Sequence, residues 1–196
     1  LIKKDLVLNL NEDTYAMAFK AFNYQVIHDV ELEQKDIYGA FQASLMVFGF
    51  QILMFTFIIS NIQGVDFRVI LPSSLSVLGA RFICTILMHL QVEGDIGQGI
   101  RMMKYVTNQP FDFINPGCAF FVALMQTLGG LMAEIACIIF LGSIDNPMLV
   151  IISFVGLASL SKVDDIYFSA LPSSGNKILK ATMPLIVKIH LRDWEM

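Results

Sequence analysis

Charge is the scarcest commodity in this sequence. Asp, Glu, Lys and Arg together make up 15% of its 196 residues, against 56% hydrophobic residues. Water-soluble domains carry about 25% charged residues, so a chain this poor in charge is not an ordinary soluble globule. Basic residues are the rarer sign, 13 Lys and Arg against 17 Asp and Glu, for a net charge of −4. With no basic stripe and no clustered Arg, nucleic acid is excluded as a partner. A polybasic run of the kind that grips anionic lipid is missing as well.

Chemistry-bearing motifs are equally sparse. The three cysteines, Cys84, Cys118 and Cys137, lie in or beside apolar blocks, and an odd number so placed reads as packing residues rather than a disulfide framework. No Asn-x-Ser/Thr acceptor occurs, so no glycosylation site marks a side of the membrane. His28, His89 and His190 are far apart and share no Cys or carboxylate pattern, which excludes the usual zinc and haem spacings. His89 and Glu93 share one helical face, but they read as two interfacial polar residues. The run Gly94-Asp-Ile-Gly97-Gln-Gly99 lacks the Lys-Ser/Thr of a phosphate loop. These absences point to a protein that is not an enzyme and that carries no cofactor or metal. The chain begins at Leu1, and residues 1–30, charged at both ends, lack the apolar core of a secretory signal.

What is present in abundance is long apolar runs, with a mean hydropathy of +0.66. About 20 such residues cross a hydrocarbon core of about 30 Å. Four blocks qualify, at about 37–60, 69–90, 117–141 and 147–170. The expected fold is therefore an all-α, polytopic membrane bundle of four transmembrane helices in a single membrane domain, supplemented by amphipathic or interfacial helices. Residues 1–36 form a polar segment in which Tyr15, Ala18, Phe19, Phe22 and Val26 recur at helical spacing, predicting an amphipathic helix on the membrane surface or against the bundle. Asn61-Ile-Gln-Gly64 predicts a tight turn, with Asp66 and Arg68 at the interface. Pro72 falls in the first turn of the second block.

Gly94, Gly97 and Gly99 are expected to loosen the backbone ahead of a short interfacial helix around Ile100, Met103 and Val106. Asn146-Pro147 predicts a cap followed by Pro at the first helical position. The fourth block is uninterrupted only over 147–161. The expectation is one crossing helix with Lys162-Val-Asp-Asp165 at its exit, a re-entrant or tilted helix being the alternative. Residues 173–196 form a tail in which 185–191 could be a strand or an interfacial segment. Leu71-Pro-Ser-Ser74 recurs as Leu171-Pro-Ser-Ser174, a repeat that chance explains as well as duplication does.

Eleven Lys and Arg fall in the N-terminal segment, the second loop and the C-terminal region, and Arg68 stands alone on the other side. That asymmetry puts both termini in the cytosol.

Arg81 and Glu134 are the sharpest features. An ionisable group within a span normally faces a partner or a wet cavity. Taking the spans above, Arg81 lies about 18 Å and Glu134 about 12 Å below the outer surface, at 1.5 Å per residue. Their side chains lean toward each other. The two are expected to form an intramembrane charge pair, a static lock in preference to an ion or proton path, with Gln51 and Gln126 as polar lining. Gly129, Gly130, Ala133, Ala136 and Cys137 form a small-residue helix-packing patch.

The functional expectation is a structural or assembly subunit of an oligomeric membrane complex, as homo-oligomer or with other chains, surrounded by membrane lipid. The alternatives are an ion- or proton-conducting subunit using Glu134 and Arg81, and a binder of lipid or hydrophobic pigment.

Overall fold

The computed structural model describes residues 4–8, 10, 13–63, 74–171 and 185–189. Among these, a short ribbon, β1 (Lys4–Leu8) antiparallel to β2 (Leu185–Ile189), is the one departure from helix as the regular element. The helices are α1 (Thr14–Ala21), α2 (Tyr24–Val30), α3 (Gln34–Gln63), α4 (Leu75–Asn108), α5 (Pro116–Gly142), α6 (Pro147–Ser161) and α7 (Val163–Ala170), with a 3₁₀ turn at Pro110–Asp112. Three of them, α3, α4 and α5, are long and apolar enough to cross a membrane. α6 is apolar but has 15 residues, about 22 Å of helix.

Local chemistry starts these helices where it should. Ser74 caps α4 by accepting from the Val77 N–H, and Asn115 caps α5 by accepting from Cys118. Asn146 accepts from Met148 and Leu149 ahead of Pro147, as its sequence predicts.

Side-chain contacts fix directions and levels. Phe41 of α3 meets Phe121 of α5, and the Gln51 amide lies against Gly129, so α3 and α5 run parallel. α4 runs antiparallel to α5, on a different side of it from α3: Arg81 reaches Ile144, His89 reaches Glu134, and Ile96 faces Gly130. α6 runs alongside α4, with Gln91 donating to the Ala158 carbonyl and Ser161 hydroxyl. The end where α3 begins and α4 finishes is called the lower end below, and the opposite end the upper.

Three sequence expectations need correction. The helix after the second block is not separate, because α4 is continuous for 34 residues. Gly94, Gly97 and Gly99 do not interrupt it, and Gly99, like Gly130 of α5, sits where the two helices press together. A Cβ on Gly99 would lie 2.9 Å from the Ala123 carbonyl, and one on Gly130 would lie 2.7 Å from Ile96. The turn expected at residue 61 is absent, since α3 continues through Gln63. The fourth block is interrupted at Lys162, which ends α6 and precedes α7. Of the two places expected for the N-terminal helix, the structure shows the one against the bundle: Thr14–Phe19, Ala21 and Phe22 are all buried. Asp66, Arg68, Pro72, His190, the first residues of the second block and most of the tail, with most of the repeated Leu-Pro-Ser-Ser, lie outside the described residues.

Candidate functional site

At one level of the bundle, polar side chains from five elements converge. Asp13 stands at the N-cap of α1 and is 1% exposed. Its Oδ1 accepts from the Ala16 N–H at 2.6 Å, which is an ordinary cap. Its Oδ2 accepts from the Gln98 side chain of α4 at 2.7 Å and the Gln126 side chain of α5 at 3.1 Å. Next to it, the Tyr15 hydroxyl donates to Gln51 of α3 at 2.7 Å. The Thr14 hydroxyl donates to the Asp164 carbonyl of α7 at 2.8 Å. α1 is thus bonded to α3, α4, α5 and α7 through its first turn, and burial without partners would make each of these groups costly.

The α6–α7 break delivers the other charged groups. Lys162 ends α6 and bridges Asp95 of α4 at 3.3 Å and Asp165 at 3.2 Å. Asp164, in the first turn of α7, is 4% exposed. One carboxylate oxygen from each of Asp13, Asp164 and Asp165 can be chosen so that all three lie within 4.8 Å of one another. Two acceptors here, Asp164 Oδ1 and Gln126 Oε1, are buried without a hydrogen-bond partner. Of the four carboxylates gathered here, Asp95 and Asp165 pair with the Lys162 ammonium. Burial pushes the Asp13 carboxyl up to about 6, the cap hydrogen bond opposing it and Asp95 and Asp165 adding to it. Burial likewise raises Asp164 to about 7, with Asp13, Asp165 and Asp95 adding like charge.

Of the residues singled out in the sequence, Gln51 and Gln126 belong to this layer. Arg81 and Glu134 do not, and they are not each other's partners. Glu134 meets His89 Nδ1 at 2.8 Å, while Arg81 donates to the Ile144 carbonyl through Nε at 3.2 Å and Nη2 at 2.8 Å. The cause is register. α4 begins at Leu75, which puts Arg81 about 9 Å from its upper end instead of 18 Å. There it satisfies a carbonyl left open at the end of α5. Gly129, Gly130, Ala133, Ala136 and Cys137 are all buried. The glycines serve contacts within the chain, Gly129 against Gln51 and Gly130 against Ile96.

Sequence reading missed Asp13, Gln98 and Asp164. An Asp just before a helix looks like any cap, and nothing local reveals partners 85 and 113 residues away. The available signal was that the helix following Asp13 is apolar or small on nearly every face, which marks a buried helix. No family model, curated protein or solved structure matches this chain.

Proposed function

We propose that this chain is an integral membrane protein that admits a metal cation to its helical bundle, as a transporter or channel subunit. The observation that carries the reading is the excess of carboxyl groups at one level of the bundle: buried Asp13 and Asp164 with part-exposed Asp95 and Asp165, against Lys162. Unbalanced charge inside a bundle is expensive and usually marks an ion pathway. In this reading α6 completes a fourth crossing, and the Lys/Arg distribution keeps both termini in the cytosol. The polar layer then lies about 24 Å from the upper end of α5, sixteen residues before Gly142 at 1.5 Å each. That is the cytosolic side of the hydrocarbon core, covered by α1. Purified protein in liposomes should carry at least one of Na⁺, K⁺, Ca²⁺ or Mn²⁺. Asp13→Asn should cut that flux at least tenfold; flux no greater than in protein-free liposomes would sink the reading.

A second reading, the assembly subunit, has its own observation. His89 remains 54% exposed on an upper face otherwise formed by Phe82, Ile86, Leu90, Ile135 and Ile138. Polar groups at such positions favour a neighbouring helix over lipid. Native mass spectrometry from mild detergent should then report more than one chain, with His89→Leu shifting it to monomer. A wild-type monomer would remove this second reading.

A further inference from the structure

We propose that a hard divalent cation binds between the α1 cap and the first turn of α7, held by Asp13, Asp164 and Asp165 with the side-chain carbonyl of Gln126 as a neutral ligand. This deepens the reading above by naming the class of cation and its ligands.

The distances fit such an ion. Ca²⁺ holds oxygens at about 2.3–2.6 Å, so oxygens bound to one ion of that size stand no more than roughly 5 Å apart. The three carboxylates already offer one oxygen each within 4.8 Å of the others. They are brought there by structure that does not depend on a metal. Asp13 is held by three donors, and the Thr14 bond to the Asp164 carbonyl ties the two segments together.

The independent sign of a missing ligand is the pair of orphaned acceptors. Gln126 is 2% exposed and gives its N–H to Asp13, yet its Oε1 has no donor. A carboxamide oxygen is not protonated at ordinary pH, so burial leaves it in need of a cation or a hydrogen-bond donor. Asp164 Oδ1 is buried without a donor as well. The Gln126 amide is tied to the cluster through its bond to Asp13.

The donor set also selects among metals. Every ligand is an oxygen, and neither thiol nor imidazole takes part, which favours Ca²⁺, Mg²⁺ or Mn²⁺ over Zn²⁺ or copper. Asp165 is the most accessible of the three, its side chain 41% exposed, so ions reach the site from its side. Lys162 now rests on Asp165 and can keep its bond to Asp95 when an ion takes over that carboxylate. A bound ion would clamp α1 to α7 and to α5, joining the N-terminal segment to the membrane bundle.

The test is a Mn²⁺ titration of the full chain in detergent, followed by electron paramagnetic resonance. One Mn²⁺ should bind per chain, be displaced by Ca²⁺ or Mg²⁺, and raise the melting temperature. Asp164→Asn should weaken binding at least tenfold. If that variant loses its helical circular dichroism, Asp165→Asn carries the test, because its side chain bonds only at the half-exposed rim. Glu93→Gln, an exposed carboxylate on the same α4, should bind as wild type does. No Mn²⁺ bound at millimolar concentration, or equal binding in wild type and Asp165→Asn, overturns the site. Binding with no liposome flux removes the transport reading and leaves the site standing; flux with no Mn²⁺ bound does the reverse.

Discussion

Below the polar layer the bundle buries a cluster of packed rings; above it the buried side chains are mostly small or aliphatic, Phe55 apart. The lower core packs Phe19 on Phe113 at 5.2 Å and on Tyr105 at 6.3 Å between ring centres, with Phe22 against Phe41 at 5.9 Å. Outside it, Lys35, Arg101 and Lys104 are exposed. The upper core is built from Cys84, Ala133, Ala136 and Cys137 with Leu141 and Leu157, and its outer face shows Leu78, Phe82, Ile83 and Ile86. Under the membrane placement proposed above, each half would follow the rule of a different solvent. In water, burying large apolar groups drives packing. In lipid that drive is absent, and close approach of small residues takes its place. Under that placement Asp13 and its partners would lie near the boundary of the two regimes, with α1 on the watery side.

If the halves differ in this way, equal deletions will have unequal effects. Phe19 and Phe55 are both fully buried, one in each core. Phe19→Ala should destabilise by about 3–5 kcal/mol, the range for large-to-small changes in water-facing folds. Phe55→Ala should lose only packing and cavity terms, roughly half as much. Unfolding in mixed micelles with rising SDS, followed by circular dichroism, would compare them. Equal losses would mean that both halves sit in one environment, and the comparison would fail.

This division was only partly legible in the sequence. Apolar runs reveal α3 and α5, and caps such as Asn146-Pro147 reveal where helices start, because both are local properties. Levels are not local. An apolar stripe says which face of a helix is buried and says nothing of how far its neighbour slides along it. The six-residue difference in where α4 begins was enough to pair Arg81 with the wrong residue. Gln51 and Gln126 were legible as polar groups within apolar runs. Asp13 was not, since its cap role hides its tertiary one. The break at Lys162 was visible as a charged interruption, but its burial beside α1 depends on long-range packing.

The glycines at the meeting of the two halves give the finer test, with smaller effects. Gly99 and Gly130 both lie in the α4–α5 contact, a few residues from the polar layer, and both would be crowded by a methyl group. What they meet differs. At Gly99 the obstacles are the Thr127 side chain and the backbone of α5, the Ala123 carbonyl at 2.9 Å and the Thr127 nitrogen at 3.0 Å. Backbone cannot rotate away, so Gly99→Ala must push the helices apart and should cost about 1–3 kcal/mol. Because Gln98 is the next residue, the same shift should loosen its bond to Asp13 and weaken any Mn²⁺ bound there. At Gly130 the obstacle is the half-buried side chain of Ile96. It can change rotamer, and alanine gains about 1 kcal/mol of helix propensity over glycine. Gly130→Ala should therefore change stability by less than about 1 kcal/mol. Unfolding midpoints of the two variants decide the matter: a larger loss at Gly130 would show that the α4–α5 register differs from the one described.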